Sequence, residues 1–424
     1  MTYAASHAVT GRALFTETRL ATGALAVVAF HVVDDNFLQP QPGTSAGDHL
    51  ASGLVPIAVF AAIAALYPQL RAGLRAAMAM TLGVIGILIG VPAAYYLVQG
   101  SLGGDQYTGL LALAAGGLLF LAGPVVLWKA RRSGGTRMRR YGWRSLTTVL
   151  GAALGLLLLW LVVFPVGVAY IYTHTGRTAS TPGLGVPAEK VAVTTSDSLG
   201  LAAWYVPSTN RAAVVLFPGA GRAKEARMLI RHGYGVLLLE PRGQGGSEGD
   251  IVRWAGDRDL LAGAAYLQSR PDVDPDRIGG LGFSIGGENL VEAAAKSTAF
   301  KAVVSEGAGE RVGEADASGP AALLVAPSQA VMTAAVTIFS NHRPPPPIVD
   351  RIGRIAPRSI LLIYAEPGMG GEATRQLKYL AAAGEPNAIW KVPGSKHTGG
   401  IDARPAEYER RVVGFFDRSL LTGH

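Results

Sequence analysis

A chain of 424 residues has room for two or three domains, and at 49% hydrophobic, 16% charged and mean hydropathy +0.29 it is too apolar for an ordinary soluble protein of that size. The net charge of +8 gathers largely in one short loop between apolar segments, and no basic stripe with interleaved aromatics occurs elsewhere, which argues against a nucleic-acid partner. Cysteine is absent, which excludes disulfides, thiolate catalysis and cysteine-ligated zinc.

The apolar excess lies in residues 1–175. Crossing the hydrocarbon core takes about 20 predominantly apolar residues in a helix. Leu50–Leu66, Leu74–Val98, Tyr107–Trp128 and Leu146–Ile171 meet that or come close, and a shorter stretch, Leu20–Val33, contains His31. No small-residue cleavage site comes after that first stretch, so it reads as a span rather than a signal peptide. The expectation is an all-α transmembrane region of about five helices, near 20–36, 50–67, 74–98, 107–128 and 146–172, with the bilayer as its partner. Pro92, Pro124 and Pro165 inside these runs read as tolerated kinks.

The loops give an orientation. Lys129, Arg131, Arg132, Arg137, Arg139, Arg140 and Arg144 crowd the loop before the last span. Arg71 and Arg75 lie between the second and third spans, and Arg12 and Arg19 precede the first. The alternate loops carry Asp34, Asp35, Asp48 and Asp105 and no Lys or Arg. Basic residues resist translocation, so the last span is expected to start in the cytoplasm and to deliver the residues beyond about 175 to the other side. His31, His49, Asp48 and Asp105 are expected to mark helix ends and solvated loops rather than an ion site, as are Asp34, Asp35 and Asn36.

After a linker at 176–186, residues 187–424 change character. Val191–Thr195 and Ala202–Val206 read as a hairpin. Ala213–Phe217, Gly235–Leu239, Ile278–Gly282, Ala302–Ser305, Ile360–Tyr364 and Ala388–Val392 are short apolar runs of the buried parallel-strand kind. Helix-compatible segments such as Asp257–Ser269, Gly287–Lys296 and Glu372–Ala383 fall between them. That alternation predicts a mostly parallel sheet with helices on both faces, and a site beyond the carboxyl ends of its strands. Residues Gly307–Asp350, with Pro344–Pro347, lie between two core strands and are expected to form a cap over the pocket.

One strand end carries chemistry. Gly282-Phe283-Ser284-Ile285-Gly286 comes after a buried strand and opens a helix, the context that turns a chance GxSxG into a nucleophile turn with Ser284 at its tip. The base comes later in the chain, and His397 in Gly394-Ser395-Lys396-His397-Thr398-Gly399-Gly400 lies directly after the final strand. His342, ahead of the proline run, has no strand leading into it. The acid belongs in the loop after Ile360–Tyr364, where Glu366 and Glu372 both stand as candidates. For the oxyanion hole the backbone N–H groups of Ile285 and Ala220 are the candidates, since Pro218 has none to give.

Together with Glu240-Pro241-Arg242-Gly243-Gln244-Gly245-Gly246-Ser247, which looks like a D-x-R-G-x-G-x-S stretch, these loops resemble the α/β-hydrolase superfamily, in particular its dienelactone-hydrolase and prolyl-oligopeptidase-like members. The resemblance covers about residues 187–420. Three positions depart from it: Pro218 stands where a His often precedes the oxyanion glycine, Glu240 replaces the usual Asp, and the common acid position falls near Gly368. The resemblance implies an α/β-hydrolase fold and acyl transfer through Ser284, with His397 taking and returning the proton, a glutamate holding the imidazole, and no metal or organic cofactor needed. Expected substrates are small-molecule or lipid-derived esters. Peptide hydrolysis and a non-catalytic, ligand-binding sensor or scaffold are the alternatives, and retention of Ser, His and Glu in this order argues against the last.

Overall fold

The computed structural model describes residues 2–422 except 41–44, 48, 99, 101, 130–153, 177–180, 312–321 and 369–370. It divides into two compact units, Met1–Thr175 with Ala317–Arg343, and Gly176–Asp316 with Pro344–His424.

The first unit is helical. α1 (Thr2–Val33) continues through a π-turn, Asp34–Leu38, and is succeeded by α2 (Leu50–Leu66), α3 (Ala72–Val98), α4 (Gln106–Lys129) and α5 (Leu154–His174). Among the described residues, five helices here are long and apolar enough to cross a membrane, the first of them over Glu17–Leu38. A helix satisfies every backbone group within itself, which is what hydrocarbon demands. Leu111, Leu118 and Leu121 of α4 turn outward, while Ala112, Ala115 and Gly116 turn in. The inward stripe lets two backbones meet: a Cβ on Gly116 would lie 2.4 Å from the backbone nitrogen of Ile87 on α3. In α5 a π-turn at Leu159–Val163 precedes Pro165, as expected where proline cannot donate to the ladder. The basic stretch 131–144 and the start of the fifth expected span, 146–153, lie outside the described residues, as does Asp48.

The polar residues of this unit depart from the expectation. His31, Asp34, Asp35, Asn36 and His49 are buried, not solvated. Thr108 Oγ1 donates to Asp34 Oδ2 at 2.7 Å, His174 Nε2 lies 3.2 Å from Asp35 Oδ2, and His31 Nε2 lies 3.2 Å from the Tyr170 hydroxyl. The chain does not end its helix at Asp34 but widens into the π-turn, which turns Asp34 and Asp35 inward to partners on α4 and α5.

The second unit is an eight-stranded sheet in the order β1-β2-β4-β3-β5-β6-β7-β8. The strands are β1 (Glu189–Thr194), β2 (Gly200–Val206), β3 (Ala213–Phe217), β4 (Gly235–Leu239), β5 (Ile278–Phe283), β6 (Ala302–Glu306), β7 (Ser359–Pro367) and β8 (Asn387–Ser395). β2 pairs antiparallel with β1 and β4, and every other neighbouring pair is parallel. Both faces are covered, so the central strands are buried throughout rather than alternating. Val215, Leu237 and Val303 point to one side, beneath α7 (Gly256–Gln268) and α8 (Ile285–Lys296). Val214, Val236 and Val304 point to the other, beneath α6 (Ala223–Arg231) and, further along the chain, the C-terminal helix Pro405–Phe416. The carboxyl ends of β3 to β8 therefore share one edge, with Pro218, Glu240, Ser284, Gly307 and His397 just beyond it.

The segment expected to form a cap contains a further helix. Residues 322–340 form a helix, α9 (Ala322–Ser340), that belongs to the helical unit and packs on α2 and α5. It is apolar around most of its circumference, so it buries itself among other apolar helices. The chain then returns through short 3₁₀ turns whose Ile348, Ile352 and Ile355 enter the sheet's core. Residues 312–321 lie outside the described residues.

Arg242, in the motif after β4, is architectural. Its Nε donates to Asp259 Oδ1 at 2.9 Å and its Nη1 to Asp197 Oδ2 at 2.9 Å, while its backbone N–H reaches Asp259 Oδ2 at 3.0 Å. Arg242→Met leaves Asp259, which is fully buried, without its cation, and removing one partner of a buried pair costs about 3–5 kcal/mol. A thermal or denaturant unfolding curve of the full chain in detergent should show a markedly lower transition for the sheet unit.

Candidate active site

β5 ends at Phe283 and the chain reverses at Ser284, which sits at φ 53° and ψ −124°. Such a conformation in a residue with a side chain costs about 1–3 kcal/mol and persists only where the surroundings fix it. Here they do. The Ser284 N–H donates to Glu306 O at 2.8 Å, and the Ser284 carbonyl accepts the Gly287 N–H at 2.8 Å to start α8. A Cβ on Gly282 would lie 2.5 Å from Gly286 O, and one on Gly286 would lie 2.2 Å from Phe217 O. Both flanking positions must therefore be glycine for the strand, turn and helix to cross. The second contact also packs the Phe217–Pro218 end of the candidate oxyanion loop, which carries Ala220, onto the first turn of α8, which carries Ile285. In that loop Pro218 has no N–H and Gly219 donates its own to Leu239 O at 2.8 Å.

His397 lies in the loop after β8. Its Nε2 is 2.9 Å from Ser284 Oγ and its Nδ1 is 2.9 Å from Glu372 Oε2. Glu372 opens α10 (Glu372–Ala382) behind Gly371, whose φ of 75° suits a residue without a side chain. Only 2% of Glu372 is exposed, and its other oxygen accepts the Ala365 N–H at 2.9 Å. A carboxylate at a helix's first position also faces the positive end of its dipole. Glu366 is elsewhere: its side chain is 53% exposed and pairs with Lys391 at 3.0 Å. Of the two glutamates open in the sequence, only Glu372 meets the imidazole.

Two residues that the sequence did not single out hold this arrangement. Glu306, at the end of β6, accepts the Gly400 N–H at 2.9 Å and the Tyr408 hydroxyl at 2.7 Å, which fixes the loop carrying His397. Burial pushes the Glu306 carboxyl up from its ordinary range, against these two donors that favour its charged form. Arg222 donates to the carbonyl and the hydroxyl of Thr398, both at 3.2 Å, and its guanidinium lies 3.7 Å from the centre of the Phe283 ring. It thereby ties the loop after β3 to the histidine loop and to the strand before Ser284. The one readable signal was Glu306 itself, an acid closing an otherwise apolar strand. Among the described residues, no three His, Cys, Asp or Glu side chains are grouped to hold a metal ion.

The model of the X-Pro dipeptidyl-peptidase (S15) family matches residues 173–401, a span that includes Ser284, Glu372 and His397. A protein of Mycobacterium tuberculosis described as uncharacterized is 30% identical over 226 residues, 49% of this chain and 71% of its own length. A polyketide transferase of Penicillium is 32% identical over 129 residues, 28% of this chain and 42% of its own. Among solved structures, an α/β hydrolase from Penicillium superposes with TM-score 0.47 and 18% identity, over 56% of this chain and all of that one. With the family match covering more than half of the chain, the protein is a hydrolase of the α/β fold that belongs to the X-Pro dipeptidyl-peptidase (S15) family.

Proposed function

We propose that the chain is a membrane-anchored serine hydrolase that cleaves carboxylic esters through an acyl-enzyme. The observation that carries the reading is the relay Glu372–His397–Ser284, with both hydrogen bonds at 2.9 Å. Ser284 Oγ attacks the carbonyl carbon while His397 Nε2 takes its proton, and Glu372 stabilises the imidazolium that results. The N–H groups of Ile285 and Ala220 receive the negative charge on the carbonyl oxygen. The imidazolium then protonates the leaving alcohol, and a water, deprotonated by His397, releases the acid.

Esters are the smaller chemical demand, because an alkoxide leaves more readily than an amine. Two relatives bear names outside peptidase chemistry, the polyketide transferase and a thiohydrolase of Aspergillus aculeatus 30% identical over 112 residues. The family description favours a second reading, a peptidase acting through the same residues. Purified protein assayed with p-nitrophenyl esters beside Xaa-Pro p-nitroanilides separates them. The ester reading expects turnover of esters and at most about 1% of that rate on the anilides. Anilide turnover at a comparable rate would replace it with the peptidase.

Five apolar helices and the alternation of basic loops support anchoring with the hydrolase unit outside the cytoplasm. An alkaline-phosphatase reporter fused after Thr181 is expected to be active. Activity of a cytoplasmic reporter at that position instead would reverse the orientation.

A further inference from the structure

The helical unit holds a cavity of about 340 Å³ between α1, α2, α3, α5 and α9, at the lower end of the range of small-molecule sites, about 300–1,000 Å³. Phe60, Ile89, Val166, Ala335 and Ile338 give it apolar walls. Its polar lining comes from Asn36, Ser52, Tyr170 and His174. These groups are fixed in place: Asn36 Nδ2 donates to Val32 O at 2.9 Å and to Asp35 Oδ2 at 3.0 Å, Ser52 Oγ donates to Asn36 Oδ1, and His174 faces Asp35. Three lining residues, Val55, Val59 and Val162, are 43%, 50% and 40% exposed. The accessible part of the lining is thus apolar, which suits a lipid and not a water-soluble molecule.

We propose that this cavity binds a single-chain acyl lipid with an uncharged, hydrogen-bonding head, of the monoacylglycerol kind, its chain against the apolar walls and its head at Asn36, Ser52, Tyr170 and His174. The form of the cavity, apolar along most of its lining with a few convergent polar side chains, is that of an amphiphile. The charge of the head is set by its surroundings. Asp34 and Asp35 are buried beside the polar lining, and Asp35 is already paired with His174 at 3.2 Å, so a fatty-acid carboxylate would compete with Asp35 for that histidine and lie close to two carboxylates in a medium of low dielectric. A glycerol head can donate and accept without that penalty. Ionisable side chains buried among membrane helices are expensive and are found where they have a task, and holding these polar groups in register gives this network one. The assignment does not depend on the role of Ser284.

The test uses the full-length Ser284→Ala protein in detergent, so that the probe is not consumed if Ser284 is the nucleophile. A monoacylglycerol carrying a diazirine in its chain and an alkyne tag is photolysed with it, beside the fatty acid of the same chain. Expected is saturable labelling, mapped by mass spectrometry to α2, α5 or α9, at least fivefold stronger than with the fatty acid. Ala335→Trp and Val331→Trp, which fill the cavity, should each lower it tenfold or more, while Leu121→Trp on the outer face of α4 leaves it unchanged. Ser52→Ala adds no bulk and should weaken half-saturation severalfold, which keeps the test open if a tryptophan variant fails to elute as a single species. Labelling that survives both filling variants in well-folded protein, or that is equally strong with the fatty acid, would overturn the proposal.

Discussion

Ser284→Ala should remove ester turnover, lowering kcat/KM by about 10⁵–10⁶-fold while leaving the fold intact. The size of the effect reflects the absence of any substitute. Ser284 is the side chain presented at the tip of the strand-to-helix turn, and its positive φ is fixed by the backbone bonds to Glu306 O and from Gly287, neither of which involves the hydroxyl. Alanine keeps those bonds. What remains is catalysis by the oxyanion donors and by binding alone. A variant whose melting profile matches the parent but whose turnover of p-nitrophenyl esters is at background meets the expectation. Retention of a tenth or more of the activity would place the nucleophile elsewhere.

Glu372→Gln should cost about 10³–10⁴-fold in kcat with little change in KM, and Glu366→Gln less than about twofold. The two substitutions remove the same charge six residues apart, one at the end of β7 and one at the start of α10, but only one touches the imidazole. Glu372 Oε2 accepts from His397 Nδ1 at 2.9 Å, which leaves Nε2 unprotonated and facing Ser284 Oγ. A glutamine there can turn its amide toward Nδ1 and donate, which moves the imidazole proton to Nε2, where it can no longer accept from serine. Shape is preserved and the tautomer is wrong. Glu366 exchanges only an exposed ion pair with Lys391, worth at most about 1 kcal/mol. The comparison reads out directly in steady-state kinetics of the two purified variants, and a reversal of their order would contradict the assignment of the acid.

The sheet was legible because its strands are buried on both faces, so each reads as a compact apolar run. Ala213–Phe217 and Gly235–Leu239 need no adjustment of their ends. Ser284 and His397 were legible because a strand leads into each, and the edge at which parallel strands end is where a site can form. The acid was not, since Glu366 and Glu372 are six residues apart in a glycine-rich loop, and the choice depends on Gly371 turning the chain so that a helix starts with its carboxylate inward. The roles of Glu306 and Arg222 were hidden for a related reason. They act through contacts with Gly400, Tyr408 and Thr398 that are more than ninety residues away in the chain. The packing of α9 with the helical unit was not legible either, because position between two core strands says nothing about which neighbours an apolar helix takes. The polar residues at 31–36 look like a helix end until the π-turn is known, since one extra residue per turn changes which side faces inward.

The most direct test of the central claim is covalent. Membranes carrying the full chain are treated with a fluorophosphonate, digested, and the modified peptide is mapped by mass spectrometry. A single adduct on Ser284 is expected, absent in Ser284→Ala and slowed by at least about a hundredfold in His397→Ala, because the probe reacts only with a hydroxyl activated by a base. Folded protein that carries no adduct on Ser284, or that carries it equally in His397→Ala, would contradict it.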